Sequence, residues 1–260
     1  MTRAPTPLMT VRFDPTLRRL ECAVRDLVDA GEERFQGLPG LGKARREMGR
    51  DVHTAHQAAQ ADLFAGQYRS EQSVRFETVV DDVEVVVSGR IDGVVAAGGS
   101  SWVIEEVKSV VARGDELADL SPGRLRRYEQ QAAIYARILG AQTPRVVEHI
   151  EAVVILVSVI DGTTLEHPVD LSRYPAESLI PDQVRLLLER LELAEAEAQR
   201  RQEIARRLQF PFGSYRPYQD ELVEFLDRTA SDARHALVSA PTGIGKTAAA
   251  LYGVGKDALA

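Results

Sequence analysis

The sequence predicts an α/β protein: a mixed sheet flanked by helices, followed by a short segment built around a phosphate-binding loop. Three observations carry this expectation. Apolar residues recur at helical spacing between positions 14 and 70, and from Val74 the pattern turns β-branched, with turn residues between the runs. Ile150 to Ile160 is an apolar run suited to a strand buried on both faces. Near the C-terminal end, after a strand-like run, stands Ala240-Pro241-Thr242-Gly243-Ile244-Gly245-Lys246-Thr247.

The elements follow in order. Leu17, Leu20, Val24, Leu27 and Val28 lie three and four residues apart, so residues 14 to 70 read as helices. Val79-Val80, Val83 to Val87 and Trp102 to Val107 read as strands separated by Asp-Asp and Gly-Gly turns. Arg124 to Leu139 returns to helical spacing. Asp161-Gly162 marks a turn, after which Thr163 to Val169 pairs back as a hairpin strand. Asp182 to Leu208 reads as a long charged helix with Leu186, Leu187, Leu191, Leu193 and Ile204 as its apolar positions. Pro211 and Gly213 punctuate the junction that follows.

Composition bounds the function. Of 260 residues, 44% are hydrophobic and 27% charged, the balance of a globular domain plus a further fragment. The longest apolar stretch, Ala152 to Ile160, is broken by Ser158 and is too short to span a bilayer. The opening Met-Thr-Arg-Ala-Pro-Thr-Pro lacks the apolar centre of a signal peptide, so a cytoplasmic location is expected. A single cysteine, Cys22, allows no internal disulfide, cysteine-ligated zinc or iron–sulfur cluster within the chain. The net charge of −7 does not advertise nucleic-acid binding as a whole, although basic residues cluster at Lys43–Arg50, Arg124–Arg127 and Arg200–Arg207. Each cluster also suits a solvated helix face.

The middle region carries polar residues where strands favour apolar ones. Asp92 ends a strand in Gly89-Arg90-Ile91-Asp92-Gly93, and Glu106 and Lys108 follow in Ile104-Glu105-Glu106-Val107-Lys108. Strand alternation puts Glu106 and Lys108 on one face. Burying such charges costs several kcal/mol unless they are paired. A divalent cation between Asp92 and Glu106 supplies that pairing, and Mg²⁺ or Mn²⁺ suits carboxylate oxygens. Water on such an ion ionises more readily, and the Lys108 ammonium can orient it or stabilise a charged phosphorus-centred transition state.

Taken singly, Asp92-Gly93 reads as a turn and Glu105 to Lys108 as an exposed edge strand. Gln131 and Tyr135 read singly as a helix surface, and His53 as a histidine beside the core. Their order is more specific. Asp, then Glu-x-Lys on the next strand, resembles the PD-(D/E)XK nuclease core. Gln131-Ala132-Ala133-Ile134-Tyr135 follows on a helix, and His53 precedes on another. The succession His, Gly-x-x-Asp, Glu-x-Lys, Gln-x-x-x-Tyr resembles the RecB-type exonucleases over roughly residues 14 to 175. That resemblance implies a restriction-endonuclease-like core with Asp92, Glu106, Lys108, Gln131 and Tyr135 as its catalytic set. It implies that His53 joins Asp92 and Glu106 at the metal, while Gln131 and Tyr135 orient DNA or the metal site. No proline stands beside Asp92, the four cysteines of the iron–sulfur variant are absent, and His56 competes with His53 for the upstream position.

The C-terminal motif carries its own chemistry. Gly243 and Gly245 let backbone N–H groups turn toward phosphate oxygens, Lys246 can reach the outer phosphates, and Thr247 can hold Mg²⁺. Tyr215-Arg216-Pro217-Tyr218-Gln219 stands upstream, then an apolar-periodic segment, then the strand expected at Ala236–Ser239. This order resembles the start of superfamily 2 helicases of the XPD/DinG type, a partial RecA-like segment over residues 210 to 260. The resemblance gives Gln219 the adenine edge of ATP. The expected organisation is therefore a nuclease domain over 1–175, a helical linker over 176–209 and an incomplete ATP-binding segment over 210–260. The expected activity is metal-dependent cleavage of DNA, as single strands or duplex ends, in repair or processing. The alternative is a non-cleaving DNA-binding module tethered to a helicase.

Only thirteen residues follow Thr247, so the segment after Gly213 is expected to be poorly ordered and protease-sensitive. This chain alone should hydrolyse no ATP, because the acidic segment that completes such a Mg²⁺ site has no room. A steady-state ATPase assay checks this, and hydrolysis lost in Lys246→Ala would overturn it.

Overall fold

The structure is a computed structural model and describes residues 11–31, 41–98, 100–143, 148–232 and 237–259. The chain divides into two units, Met1–Leu188 and Glu189–Ala260, and the division falls inside one long helix.

The first unit is an α/β fold around a mixed seven-stranded sheet. Its strands are β1 (Arg12–Asp14), β2 (Arg19–Ala23), β3 (Tyr68–Val80), β4 (Val83–Ala96), β5 (Ser101–Val110), β6 (His149–Ser158) and β7 (Thr164–Pro168). Its helices are α1 (Val24–Val28), α2 (Leu41–Leu63), α3 (Pro122–Gln142) and the first part of α4 (Ala176–Arg207). The strand order is β1-β2-β4-β5-β6-β7, with β3 antiparallel on the other edge of β4. The pairs β2·β4 and β5·β6 are parallel; the rest are antiparallel.

The local reasons are legible. Asp81 and Asp82 take φ 49° and 61°, which joins β3 to β4 by a tight turn whose backbone twist matches the hairpin. Gly162 takes φ 76° in the turn from β6 to β7. Ala132, Ala133, Ile134 and Ile138 form the buried stripe of α3, while Val107, Ile155 and Val157 pack together with Val52 of α2. β6 is buried over most of its length, as its continuous apolar run requires.

Several expectations are corrected. Residues 14 to 23 are not helical. Leu20, Cys22 and Val24 are buried in alternation, and Leu17 is exposed in the turn between β1 and β2. Leu20 and Val24, four residues apart, satisfy a period of two as well as one of 3.6, and Cys22 between them completes the alternation. After the helices, β3 begins at Tyr68, six residues before Val74. The long helix begins at Ala176, not Asp182, and carries Pro181 inside it. Of its expected apolar positions Leu187 is buried, whereas Leu186, Leu193 and Ile204 are exposed.

The second unit covers the segment after Gly213, for which poor order and protease sensitivity are the expectation. It contains α5 (Gln219–Ser231) and α6 (Lys246–Leu259), which bury Leu222, Val223 and Ala249 together with Phe210, Leu226 and Tyr252. The strand expected at Ala236–Ser239 does not form over its described residues Leu237–Ser239, and Leu237 is fully exposed. A strand needs a paired neighbour, and none stands beside these residues among those described. Ala236 lies outside the described residues, as do the side chains of Lys43–Met48 and Arg50 from the first basic cluster. No helix among the described residues is long and apolar enough to cross a membrane.

Ile134 is completely buried and Leu63 is 71% exposed. Ile134→Ala should cost roughly 2–5 kcal/mol and Leu63→Ala no more than about 0.5. Chemical denaturation of both variants checks the placement of the core.

Candidate functional site

A fork in the sheet creates the candidate site. β4 pairs with β3 along one edge for nearly its whole length. On the other edge it pairs first with β2, through Glu84–Ser88, and then with β5, through Gly93–Ala96. The stretch from Gly89 to Asp92 therefore has no strand partner on that edge. Side chains fill the gap. The ring of Tyr135, from α3, lies over Gly89, where an added Cβ would stand 2.6 Å from a ring carbon. The Tyr135 hydroxyl lies at the Arg90 main chain and the Gln131 side chain. Asp92 Oδ2 accepts the Val107 N–H at 2.8 Å, a donor left over where β5 diverges from β4.

Around Asp92 the expected residues converge. His53 Nδ1, from α2, stands 3.5 Å from Asp92 Oδ1. Lys108 Nζ lies 2.5 Å from Glu106 Oε1 and donates to Gln131 Oε1 at 3.0 Å. Alternation holds: Glu106 and Lys108 face α3, whereas Glu105 and Val107 face α2. Glu105 meets His56 Nε2 at 3.1 Å and the Tyr68 phenol, so it is His53, not His56, that stands at Asp92.

The electrostatics are those of buried charge. Glu106 is 2% exposed, its Oε2 has no hydrogen-bond partner, and burial pushes its carboxyl up to about 7 despite the neighbouring Lys108. Burial pulls Lys108 down, but the charge and hydrogen bond of Glu106 outweigh it, and the ammonium is held above its ordinary value. The hydrogen bond with Asp92 raises His53 against the opposing effect of burial. Burial beside Glu106 raises Tyr135 well above the usual phenol range.

Asp92 and Glu106 offer hard oxygen donors, and His53 a borderline nitrogen, on which a divalent cation could draw. Among the described residues no three His, Cys, Asp or Glu side chains are already gathered as ligands. Glu106 Oε1 accepts from Lys108 Nζ, and Asp92 Oδ2 from the Val107 N–H. The unpartnered Glu106 Oε2 is the observation that fits a cation, because a buried carboxylate oxygen without a donor is costly.

Sequence reasoning missed Tyr128. Its ring lies 5.3 Å from Lys108 Nζ, and its hydroxyl accepts from Arg124 Nε at 2.7 Å. The available signal was its position three residues before Gln131, on the same helix face.

In the second unit the 240–247 loop closes on itself. Gly243 and Gly245 take φ 86° and 82°, conformations that glycine enters without strain. Gln219 is 1% exposed; its Oε1 accepts from Arg216 N at 3.0 Å, and its Nε2 donates to the Gly245 carbonyl at 3.1 Å. The Arg216 guanidinium donates to the Gly243 carbonyl. Lys246 Nζ donates to the carbonyls of Ala240 and Pro241 at 2.9 and 2.8 Å. Lys246 opens α6, and Thr247 is exposed in its first turn.

Comparisons with known proteins add little. No family model matches the sequence, and no curated protein matches it. Eighteen solved chains match in fold. One, described as "Crystal structure of SSO0001", is 15% identical over 66% of this chain and 76% of its own, with a TM-score of 0.43. A likeness at that level carries no argument here.

The raised carboxyl of Glu106 has a stability consequence. Its folded value of about 7 exceeds the ordinary 4.5, so its contribution is full below 4.5 and is lost as pH rises through 7. At about 1.4 kcal/mol per pH unit the loss amounts to roughly 3 kcal/mol. Unfolding free energies of metal-free wild type and Glu106→Gln between those pH values check this: their difference should change in that direction. A constant difference would show that Glu106 titrates normally.

Proposed function

We propose that the first unit is a divalent-metal-dependent DNA nuclease with a PD-(D/E)XK core of the RecB type. The observation that carries this reading is the convergence of His53, Asp92, Glu106, Lys108 and Gln131 from α2, β4, β5 and α3, around a buried carboxylate oxygen that lacks a partner. Structural ion pairs also occur in cores, but they seldom leave an acidic oxygen unpaired. Perturbed carboxyl, lysine and histidine groups gathered at a break in a sheet support the reading of a working site.

His53, Asp92 and Glu106 would hold Mg²⁺ or Mn²⁺, which would lower the pKa of bound water and polarise a phosphoryl oxygen. The chain's own groups perform the remaining work. In phosphodiester hydrolysis a water oxygen attacks phosphorus, and the bond from phosphorus to the leaving oxygen breaks. Lys108, held charged by Glu106, presents a donor to the negative charge that develops on the phosphoryl oxygens. Gln131 fixes the Lys108 ammonium from the α3 side, and Tyr128 covers it. Tyr135 closes the gap in the sheet behind Asp92.

The second unit is proposed as the opening of a superfamily 2 helicase ATP-binding domain, in which Gly243, Gly245, Lys246 and Thr247 cradle nucleotide phosphates. Gln219 would then report on the loop through its bond to Gly245 as well as meeting the base. The protein as a whole would act in DNA repair or processing.

Purified protein should digest end-labelled linear single-stranded DNA only with Mg²⁺ or Mn²⁺. Asp92→Ala and Glu106→Ala should each abolish digestion, and Lys108→Ala should lower turnover at least about 100-fold with a smaller effect on the metal requirement. Gln131→Ala should fall between, and Tyr135→Phe should be mildest. Retained cleavage in both carboxylate variants would end the nuclease assignment. DNA binding without cleavage by the wild type would point instead to a non-cleaving module.

A further inference from the structure

Asp92 sits where the sheet does not hold its main chain. Pairing with β5 stops at Gly93. On the β3 side, Ser70 pairs with Gly93 and Gln72 with Ile91, which leaves Glu71 opposite Asp92. Glu71 has φ 57°, a left-handed conformation in the middle of a strand. For a residue with a Cβ this costs on the order of 1–2 kcal/mol, and such strain persists only where the surroundings enforce it.

The surroundings are specific. Gln57, on α2, donates its Nε2 to the Asp92 carbonyl at 2.9 Å and to Glu71 Oε1 at 3.1 Å. The Arg90 guanidinium pairs with the same Glu71 carboxylate. A chain of polar contacts thus runs from Arg90 through Glu71 and Gln57 to the Asp92 main chain. Gln57 stands one helical turn after His53, so one face of α2 addresses both ends of Asp92: His53 its carboxylate and Gln57 its carbonyl. The twisted backbone of Glu71 gives up a ladder position, and Gln57 takes that place.

We infer that Gln57 and Glu71 are positioning residues for Asp92. They hold its backbone so that Oδ2 remains on the Val107 N–H while Oδ1 turns to His53. This inference rests on the reading of Asp92 as a metal-binding carboxylate for its purpose, but not for its geometry. Neither residue touches the reacting atoms; both act through Asp92. Supporting groups of this kind commonly change metal affinity 10–100-fold when removed.

Two measurements on the full chain test it. The first is native-state hydrogen exchange of the Val107 amide in metal-free protein. Gln57→Ala and Glu71→Ala should each speed that exchange at least tenfold while the Ile104 and Ile155 amides keep their rates, and Glu71→Gln, which retains the Oε1 acceptor, should leave Val107 unchanged. The second is a Mn²⁺ titration followed by thermal shift, in which Gln57→Ala should weaken the apparent Kd at least tenfold and Glu71→Gln should not. An unchanged Val107 rate in Gln57→Ala overturns the inference. So does even acceleration across β5 and β6, which would mean that Gln57 only docks α2. A selective Val107 response in a protein whose wild type binds no Mn²⁺ upholds the positioning and removes the metal reading.

Discussion

Everything at the candidate site depends on β4 serving two strands along one edge. β2 uses Glu84–Ser88 and β5 uses Gly93–Ala96, and the residues between them must satisfy their backbone and fill their space by other means. An unpaired stretch inside a sheet is costly unless side chains reach it. Tyr135 covers Gly89, Asp92 takes the stray Val107 N–H, and Gln57 takes the Asp92 carbonyl. The same break that would weaken an ordinary sheet brings acidic and basic side chains together beside it.

The charges that line it are separated by the pleat. Glu105 and Glu106 are adjacent and both nearly buried, yet they belong to different systems. Glu105 turns to His56 and lies beside the Tyr68 phenol, while Glu106 turns to Lys108. On the α2 side a carboxylate with partners of its own braces the sheet, and on the α3 side an incompletely paired one remains. That asymmetry is the electrostatic core of the proposed chemistry. A cation near Glu106 Oε2 would offset a desolvation cost that Lys108 alone does not remove.

The second unit shows how a loop rich in glycine and proline reaches a defined form. Gly243 and Gly245 supply the left-handed turns, and the buried Gln219 ties the loop to the start of α5. An added Cβ at Gly245 would run into the Gln219 side chain, so the two residues are matched. α5 and α6 then bury enough apolar surface against Phe210, Leu226 and Tyr252 to form a small core of their own. Lys246 closes the loop by donating to the carbonyls of Ala240 and Pro241.

Much was determined by the sequence itself. Alternation in Ile104–Lys108 dictated that Glu106 and Lys108 share a face, one-turn spacing dictated that Gln131 and Tyr135 share another, and Asp81-Asp82 and Asp161-Gly162 dictated their turns. These are local consequences of strand and helix periods, and one chain segment suffices to state them. The long β6 run was legible for the same reason. The short N-terminal strands were not, because a few apolar residues satisfy periods of two and of 3.6 alike until a pairing partner is known. Tertiary structure alone decided that β2 and β5 share an edge of β4, that His53 rather than His56 meets Asp92, and that Glu71 adopts a left-handed backbone beside Gln57. Tyr128 and Gln57 likewise gain meaning only from neighbours distant in sequence. Contacts between residues tens of positions apart depend on how the sheet is ordered and which helix covers which face, and no local period encodes that order.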